Sequence, residues 1–179
     1  MIYVFLADGF EEMEAIAPVD ILRRCGAEVL TVSITDDRAV KGTHGISVLA
    51  DTLGSNCNFE DAEAVVLPGG LPGADNLENS ELVKKAVLLA NEKGAKLAAI
   101  CAAPKVLGKF GMLSGKKATC YPGFEDELIG AEKSDEKVCV SGNVITGCGA
   151  GAAYEFGFTL AKELGYSEEA LKVKKGMLV

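Results

Sequence analysis

Short runs rich in Val, Ile and Ala recur along the chain, separated by stretches in which apolar positions return every three or four residues. The runs Ile2–Ala7, Glu28–Ile34, Ala64–Leu67, Lys96–Ile100 and Val144–Thr146 read as strands buried on both faces. Helical periodicity predicts helices over Glu11–Arg24, Ser80–Lys93, Ala103–Phe110 and Ala152–Leu164. Gly26, Gly94 and Gly165 stand where three helices of the chain should stop, because glycine accepts the left-handed turn that ends a helix. Strand and helix alternate, so the pattern predicts an α/β fold with a mostly parallel sheet covered on both faces. Two segments break the rhythm: Ala39–Ala50, with Gly42 and Gly45, and Lys137–Thr146, with Ser141-Gly142-Asn143. Both read as hairpins and are expected to add antiparallel strands to the sheet. No internal repeat, low-complexity tract or Pro/Ser-rich linker divides the chain, so residues 1–179 are expected to form a single domain.

Composition narrows the classes of function. The net charge of −8 argues against a nucleic-acid partner, which would require a clustered basic face. The one basic cluster, Lys172, Lys174 and Lys175, fits the solvated side of a final helix. The first apolar run has no basic leader and meets Asp8, unlike a secretory signal. No apolar run reaches the about 20 residues of a membrane span, so a soluble, cytoplasmic protein is expected. The six cysteines contain no Cys-x-x-Cys pair, and His44 is the only histidine. Structural zinc and thioredoxin-type exchange therefore lack their usual residues, and six cysteines without a secretory signal are expected as reduced thiols rather than a disulfide frame.

Three local signals bear on chemistry. In Lys96-Leu-Ala-Ala-Ile-Cys-Ala-Ala-Pro104 a buried strand runs into Cys101 and a helix follows at once, with Pro104 suited to its first turn. A thiol at such a turn is favoured as thiolate by free main-chain N–H groups, and Ala99, Ala102 and Ala103 leave room for a strained elbow. In Asp8-Gly-Phe-Glu-Glu-Met-Glu14 three carboxylates crowd a helix start. Glu11 and Glu12 fit simple compensation of the helix dipole. Glu14 lies four residues before Pro18 and beside the apolar face of Met13, Ile16, Ala17 and Ile21, which brings it towards the sheet. In a parallel sheet the first strand and the Cys101 strand end on the same edge, so Glu14 and Cys101 are expected to meet there. In Leu67-Pro-Gly-Gly70 two glycines place amides where an oxyanion hole facing the thiol could form, although a plain tight turn fits the same residues. Gly147-Cys-Gly-Ala-Gly151 lacks the marks of a P-loop or a dinucleotide fingerprint.

Taken together, Gly9 to Asp20, Val66 to Gly70, Ala98 to Pro104 and Thr146 to Phe156 resemble the ThiJ/PfpI superfamily, within it the branch of the Parkinson-disease-associated protein deglycase. The resemblance spans nearly the whole chain. It implies a flavodoxin-like three-layer sandwich and a homodimer. It further implies Cys101 as nucleophile, Glu14 as the protonated carboxyl beside it, and Gly69, Gly70 and Ala102 lining an anion pocket. Tyr121 stands where many relatives of that branch carry histidine, so a phenol there can donate a hydrogen bond but not act as an imidazole. Cys148 stands where a close relative has arginine. Ala102 replaces the histidine of the peptidase branch, and no histidine follows His44, which excludes a downstream Cys-His protease or glutaminase.

The resemblance implies an enzyme acting on a small α-oxoaldehyde such as methylglyoxal or on a glycated substrate. Cys101 would add to the carbonyl and Glu14 would shuttle a proton, with no metal and no organic cofactor. The alternative is a redox sensor or stress chaperone in which Cys101 is oxidised to sulfenic and sulfinic acid. For Cys120, Cys139 and Cys148 burial as small apolar groups is expected, and for His44 a surface position in a hairpin near a dimer interface.

Overall fold

The structure, a computed structural model, describes all of residues 1–179. In chain order it contains β1 (Ile2–Leu6), α1 (Glu12–Arg24), β2 (Val29–Ser33), β3 (Ala39–Lys41), β4 (Ser47–Leu49), β5 (Thr52–Leu53) and β6 (Ala64–Leu67). There follow α2 (Gly73–Glu78), α3 (Glu81–Glu92), β7 (Lys96–Ile100), α4 (Pro104–Lys109), β8 (Lys117–Ala118), β9 (Glu132–Lys133), β10 (Val138–Ser141), β11 (Val144–Gly147), α5 (Ala153–Glu163) and α6 (Ser167–Gly176).

Seven strands form the main sheet in the order β10-β11-β7-β6-β1-β2-β5. All neighbours run parallel except β10 and β11, which pair antiparallel from Val138↔Gly147 to Ser141↔Val144. Because side chains alternate along a strand, each strand feeds both faces. Tyr3, Phe5, Val65, Leu67, Leu97 and Ala99 point into one core, which α3 and α4 cover with Val83, Ala86, Val87, Val106 and Leu107. Ile2, Val4, Ala64, Val66, Ala98 and Ile100 point into the other, which α1, α5 and α6 cover with Ile21, Leu22, Phe156, Leu160 and Ala170. The result is an α/β flavodoxin-like three-layer sandwich.

The helices begin and end where side chains supply the missing bonds. Ser80 caps α3 by accepting from Val83 N at 3.3 Å, and Glu11 caps α1 by accepting from Glu14 N at 2.7 Å. Pro18 sits within α1 without ending it. The basic cluster lies on α6, a solvated helix as expected.

The second predicted hairpin joins the sheet as β10 and β11, but the first does not. β3 and β4 form a two-stranded sheet of their own. The edge beside β2 is taken by β5, so the hairpin folds over the end of β1 instead. It is held there by the Gly9 N–H donating to Lys41 O at 2.8 Å and by Val40 packed with Leu6, Phe10 and Ala15.

From β1 the chain moves to β2 on one side and later to β6 on the other. The segments after β1, β6 and β7 therefore converge at the carboxyl edge of the sheet, flanking the switch in strand order where open α/β folds place their sites.

Candidate active site

At that edge β7 ends on Ile100 and the next residue, Cys101, has φ of +64°, a left-handed conformation that is strained for a residue with a side chain. Its neighbours hold it there. The Cys101 N–H donates to Gly147 O at 2.9 Å, and its carbonyl accepts from Tyr121 N at 2.8 Å. The thiol is thus turned off the line of the strand and left partly exposed, while Ala102 and Ala103 behind it are buried.

Glu14 comes from the first turn of α1 and is fully buried. Its Oε2 accepts from Gly69 N at 2.9 Å, and its Oε1 is buried without any hydrogen-bond partner. A carboxylate in that setting would leave an unpaired charge out of water, which is costly enough to favour the neutral acid. Burial accordingly raises the carboxyl to about 7, with the charge of Glu11 adding to the rise and the thiol of Cys101 and the Gly69 amide opposing it.

Gly69 is the contact point of the two. A Cβ there would stand 2.7 Å from both Cys101 Cβ and Glu14 Oε2, so a side chain would fill the space between acid and thiol. Gly70 has φ of +85°, and a Cβ on it would lie 2.4 Å from Glu11 N. The strand end can bend this closely over α1 because both residues are glycine.

The thiol is pushed up to about 12, by burial first and then by the negative charge and hydrogen bonding of Glu14, while the amides of Gly70 and Ala102 pull it down. The site accommodates one negative charge. With Glu14 ionised the thiol keeps its proton; with Glu14 protonated the repulsion of the second charge is gone, and the two amides work against burial alone.

The sequence-predicted residues Glu14, Gly69, Gly70, Cys101 and Ala102 are therefore brought together. Tyr121 is only partly so. Its main chain contacts Cys101, but its ring is half exposed, packs over Gly149 and makes no hydrogen bond through its hydroxyl. It lines a neighbouring cleft of about 640 Å³ with Lys133, Lys137 and Cys148. Cys120 and Cys139 are buried as expected, whereas Cys148 is partly exposed to that cleft.

Glu11 and Glu12, expected only to compensate the helix dipole, both do more. Glu11 caps α1 through Glu14 itself. Glu12 is buried, and its Oε1 accepts from His44 N at 2.8 Å while Oε2 lies 2.8 Å from His44 Nδ1. That clamp ties the β3–β4 hairpin to the helix that carries Glu14. A Cβ on Gly42 would fall 2.4 Å from the Glu12 carboxyl, so the glycine noted as a turn signal is also what admits the clamp. His44 is exposed, as expected.

Residues 1–163 match the DJ-1/PfpI family. Among proteins of known name, Protein dj-1beta of Drosophila melanogaster is 40% identical over 178 residues, covering 98% of this chain and 95% of its own length. The protein called Deglycase PH1704 of Pyrococcus horikoshii is 37% identical over 145 residues, 78% of this chain and 84% of its own. The structure superimposes on oxidised Toxoplasma gondii DJ-1 with a TM-score of 0.95 at 36% identity, covering 99% of this chain and 97% of that one. The crystal structure of Drosophila DJ-1beta gives 0.94 at 40% identity over the same shares. With its thiol turn, its fold and these relatives in agreement over nearly its full length, the chain belongs to the DJ-1/PfpI family.

Proposed function

We propose that the protein is a cofactor-independent enzyme that converts α-oxoaldehydes to hydroxy acids, or releases them from glycated groups, with Cys101 as nucleophile and Glu14 as proton carrier. The observation that carries this reading is a fully buried carboxyl, raised to about 7, set across Gly69 from a thiol on a left-handed turn. Perturbed pairs of this kind belong to acid–base chemistry near neutral pH. The deglycase naming of the two Pyrococcus relatives points to the same class.

For methylglyoxal the sulfur forms a bond to the aldehyde carbon, and the aldehyde oxygen takes a proton from Glu14 while the Gly70 and Ala102 amides face the developing oxyanion. The Glu14 carboxylate then removes the hydrogen of the former aldehyde carbon, giving an enediol that is protonated on the adjacent carbon. This leaves a lactoyl thioester on Cys101, with no net oxidation. Water cleaves the thioester to lactate and restores the thiol. Release from a glycated amine starts at the hemiaminal carbon, where the sulfur displaces the nitrogen, Glu14 gives its proton to the leaving amine, and the resulting hemithioacetal follows the same path to lactate.

A homodimer fits the exposed apolar residues Met13, Ile16, Ile46 and Leu49 on α1 and the adjoining hairpin, which a second copy would cover. Six free cysteines suit a reducing compartment such as the cytoplasm; no helix is long and apolar enough to cross a membrane.

A second reading, oxidation of Cys101 to a sulfinic acid as a stress signal, is favoured by the oxidised state in which the Toxoplasma relative was solved. Acid-quenched mass spectrometry during methylglyoxal turnover tests the first: one lactoyl group is expected on the peptide containing Cys101. A turning-over enzyme whose Cys101 stays unmodified would sink the nucleophile. No turnover, with added oxygen on Cys101 after peroxide, would support the redox reading.

A further inference from the structure

Behind the thiol lies a buried cation that the proposed chemistry does not use. Lys105 is the second residue of α4, and its side chain is only 7% exposed. Its ammonium bonds Asp75 and lies 4.0 Å from a Glu78 oxygen and 3.8 Å from a Glu127 oxygen. The ring of Phe124 lies 5.7 Å from it, and Lys109 supports Glu78 from 3.5 Å. Burial alone would push the ammonium down, but the three carboxylates outweigh it and hold it charged.

The cluster, Lys105 included, joins three different segments. Asp75 and Glu78 lie on α2, the helix entered from the Gly69–Gly70 bend. Lys105 itself lies four residues after Cys101, on the helix entered from the thiol turn. Phe124 and Glu127 lie on the turn that follows Tyr121, whose N–H holds the Cys101 carbonyl. A buried ion cluster contributes little net stability compared with an apolar replacement but imposes one geometry on the groups it joins.

We propose that Lys105 is a positioning residue: its ammonium locks α2, α4 and the Phe124–Glu127 turn together and so sets the spacing between the Gly70 amide, the Ala102 amide and the Cys101 sulfur. The inference rests on the reading of Cys101 as the reactive thiol.

The test is the pH dependence of Cys101 alkylation by iodoacetamide, read by peptide mass spectrometry, in the wild type, Lys105→Met, Lys105→Arg, Asp75→Asn and Glu127→Gln. Lys105→Met should move the thiol titration up by about one unit, a roughly tenfold loss of thiolate at any pH below both values, because the amides that favour the anion are no longer held in place. Lys105→Arg, which keeps the charge, should restore most of it. Asp75 and Glu127 are half exposed, so their variants should fold even if Lys105→Met does not. Losing a negative charge there would, acting through space alone, lower the thiol titration; loosening a strut raises it, and a rise is the expected result. A fall or no change in both carboxylate variants, or a folded Lys105→Met with the wild-type titration and merely a lower melting temperature, would overturn the proposal. A wild-type Cys101 no more reactive than Cys148 would instead overturn the nucleophile reading, and this inference with it.

Discussion

Replacing Glu14 by glutamine should stabilise the protein, and only on the alkaline side. Glu14 is fully buried, with one oxygen on the Gly69 amide and the other unpartnered, and burial raises its carboxyl from the ordinary 4.5 to about 7. The unfolded chain loses this proton near 4.5, while the native protein holds it until about 7. The contribution of the buried acid is therefore complete below 4.5 and lost as the pH rises through 7. At about 1.36 kcal/mol per unit, the loss amounts to about 3 kcal/mol. The glutamine variant has the same shape and no proton to lose. Urea unfolding of both proteins across this range, followed by far-UV circular dichroism, should show the variant's advantage growing by about 3 kcal/mol between acid and neutral pH and levelling off above it. In a Cys101→Ala background the rise should still begin near 4.5 but continue to higher pH and grow larger, because the thiol opposes the upward shift of Glu14. Curves for Glu14→Gln and wild type that stay parallel across the range would refute the reasoning, since they would mean that Glu14 titrates as if exposed.

Gly69→Ala should cut turnover about 100-fold or more without unfolding the protein: its Cβ would stand 2.7 Å from Cys101 Cβ and Glu14 Oε2, and displacing reacting groups by even an ångström costs about 100-fold in rate. Turnover within a few-fold of wild type, at unchanged circular dichroism, would contradict the placement of the bend. Ser80→Ala removes the cap bond to Val83 and should cost about 1 kcal/mol in chemical unfolding, with turnover intact. Phe156→Ala empties a fully buried position between α5 and the sheet and should cost about 3 to 5 kcal/mol, measured the same way.

How much of this was legible in the sequence depended on the length over which a pattern could speak. The five buried strand runs and α1, α3 and α5 repeat their apolar period often enough to be recognised, with ends displaced by a residue where a cap such as Ser80 or Glu11 lies outside the helix. α4 and α2 have six residues each, too short for a period to appear; α4 was recognisable from Pro104 just after the Cys101 turn, whereas α2 opens on glycine and carries no such signal. The first hairpin was recognisable as a hairpin, but its placement was not, because a two-residue strand, β5, occupies the sheet edge it was expected to extend. Cys101 was visible because a strand ends and a helix begins within a few residues, and Glu14 because the parallel topology brings both strand ends to one edge. Tyr121 was placed near the thiol correctly by its main chain, but the direction of its ring depends on packing against Gly149, far along the chain. The roles of Glu12 and Lys105 were hidden for a common reason. Glu12 in a first helical turn looks like dipole compensation until the folded chain brings His44 against it, and nothing near Lys105 in the chain announces Asp75, Glu78 and Glu127.

The most direct test of the central claim is lactate formation from methylglyoxal, followed by NMR for wild type, Cys101→Ser and Glu14→Gln in the same buffer at neutral pH. The account predicts turnover by the wild type, none above background for Cys101→Ser, and a loss of about 100-fold or more for Glu14→Gln, the usual worth of a positioned proton carrier. Undiminished lactate formation by Cys101→Ser, or none by the wild type, would contradict it.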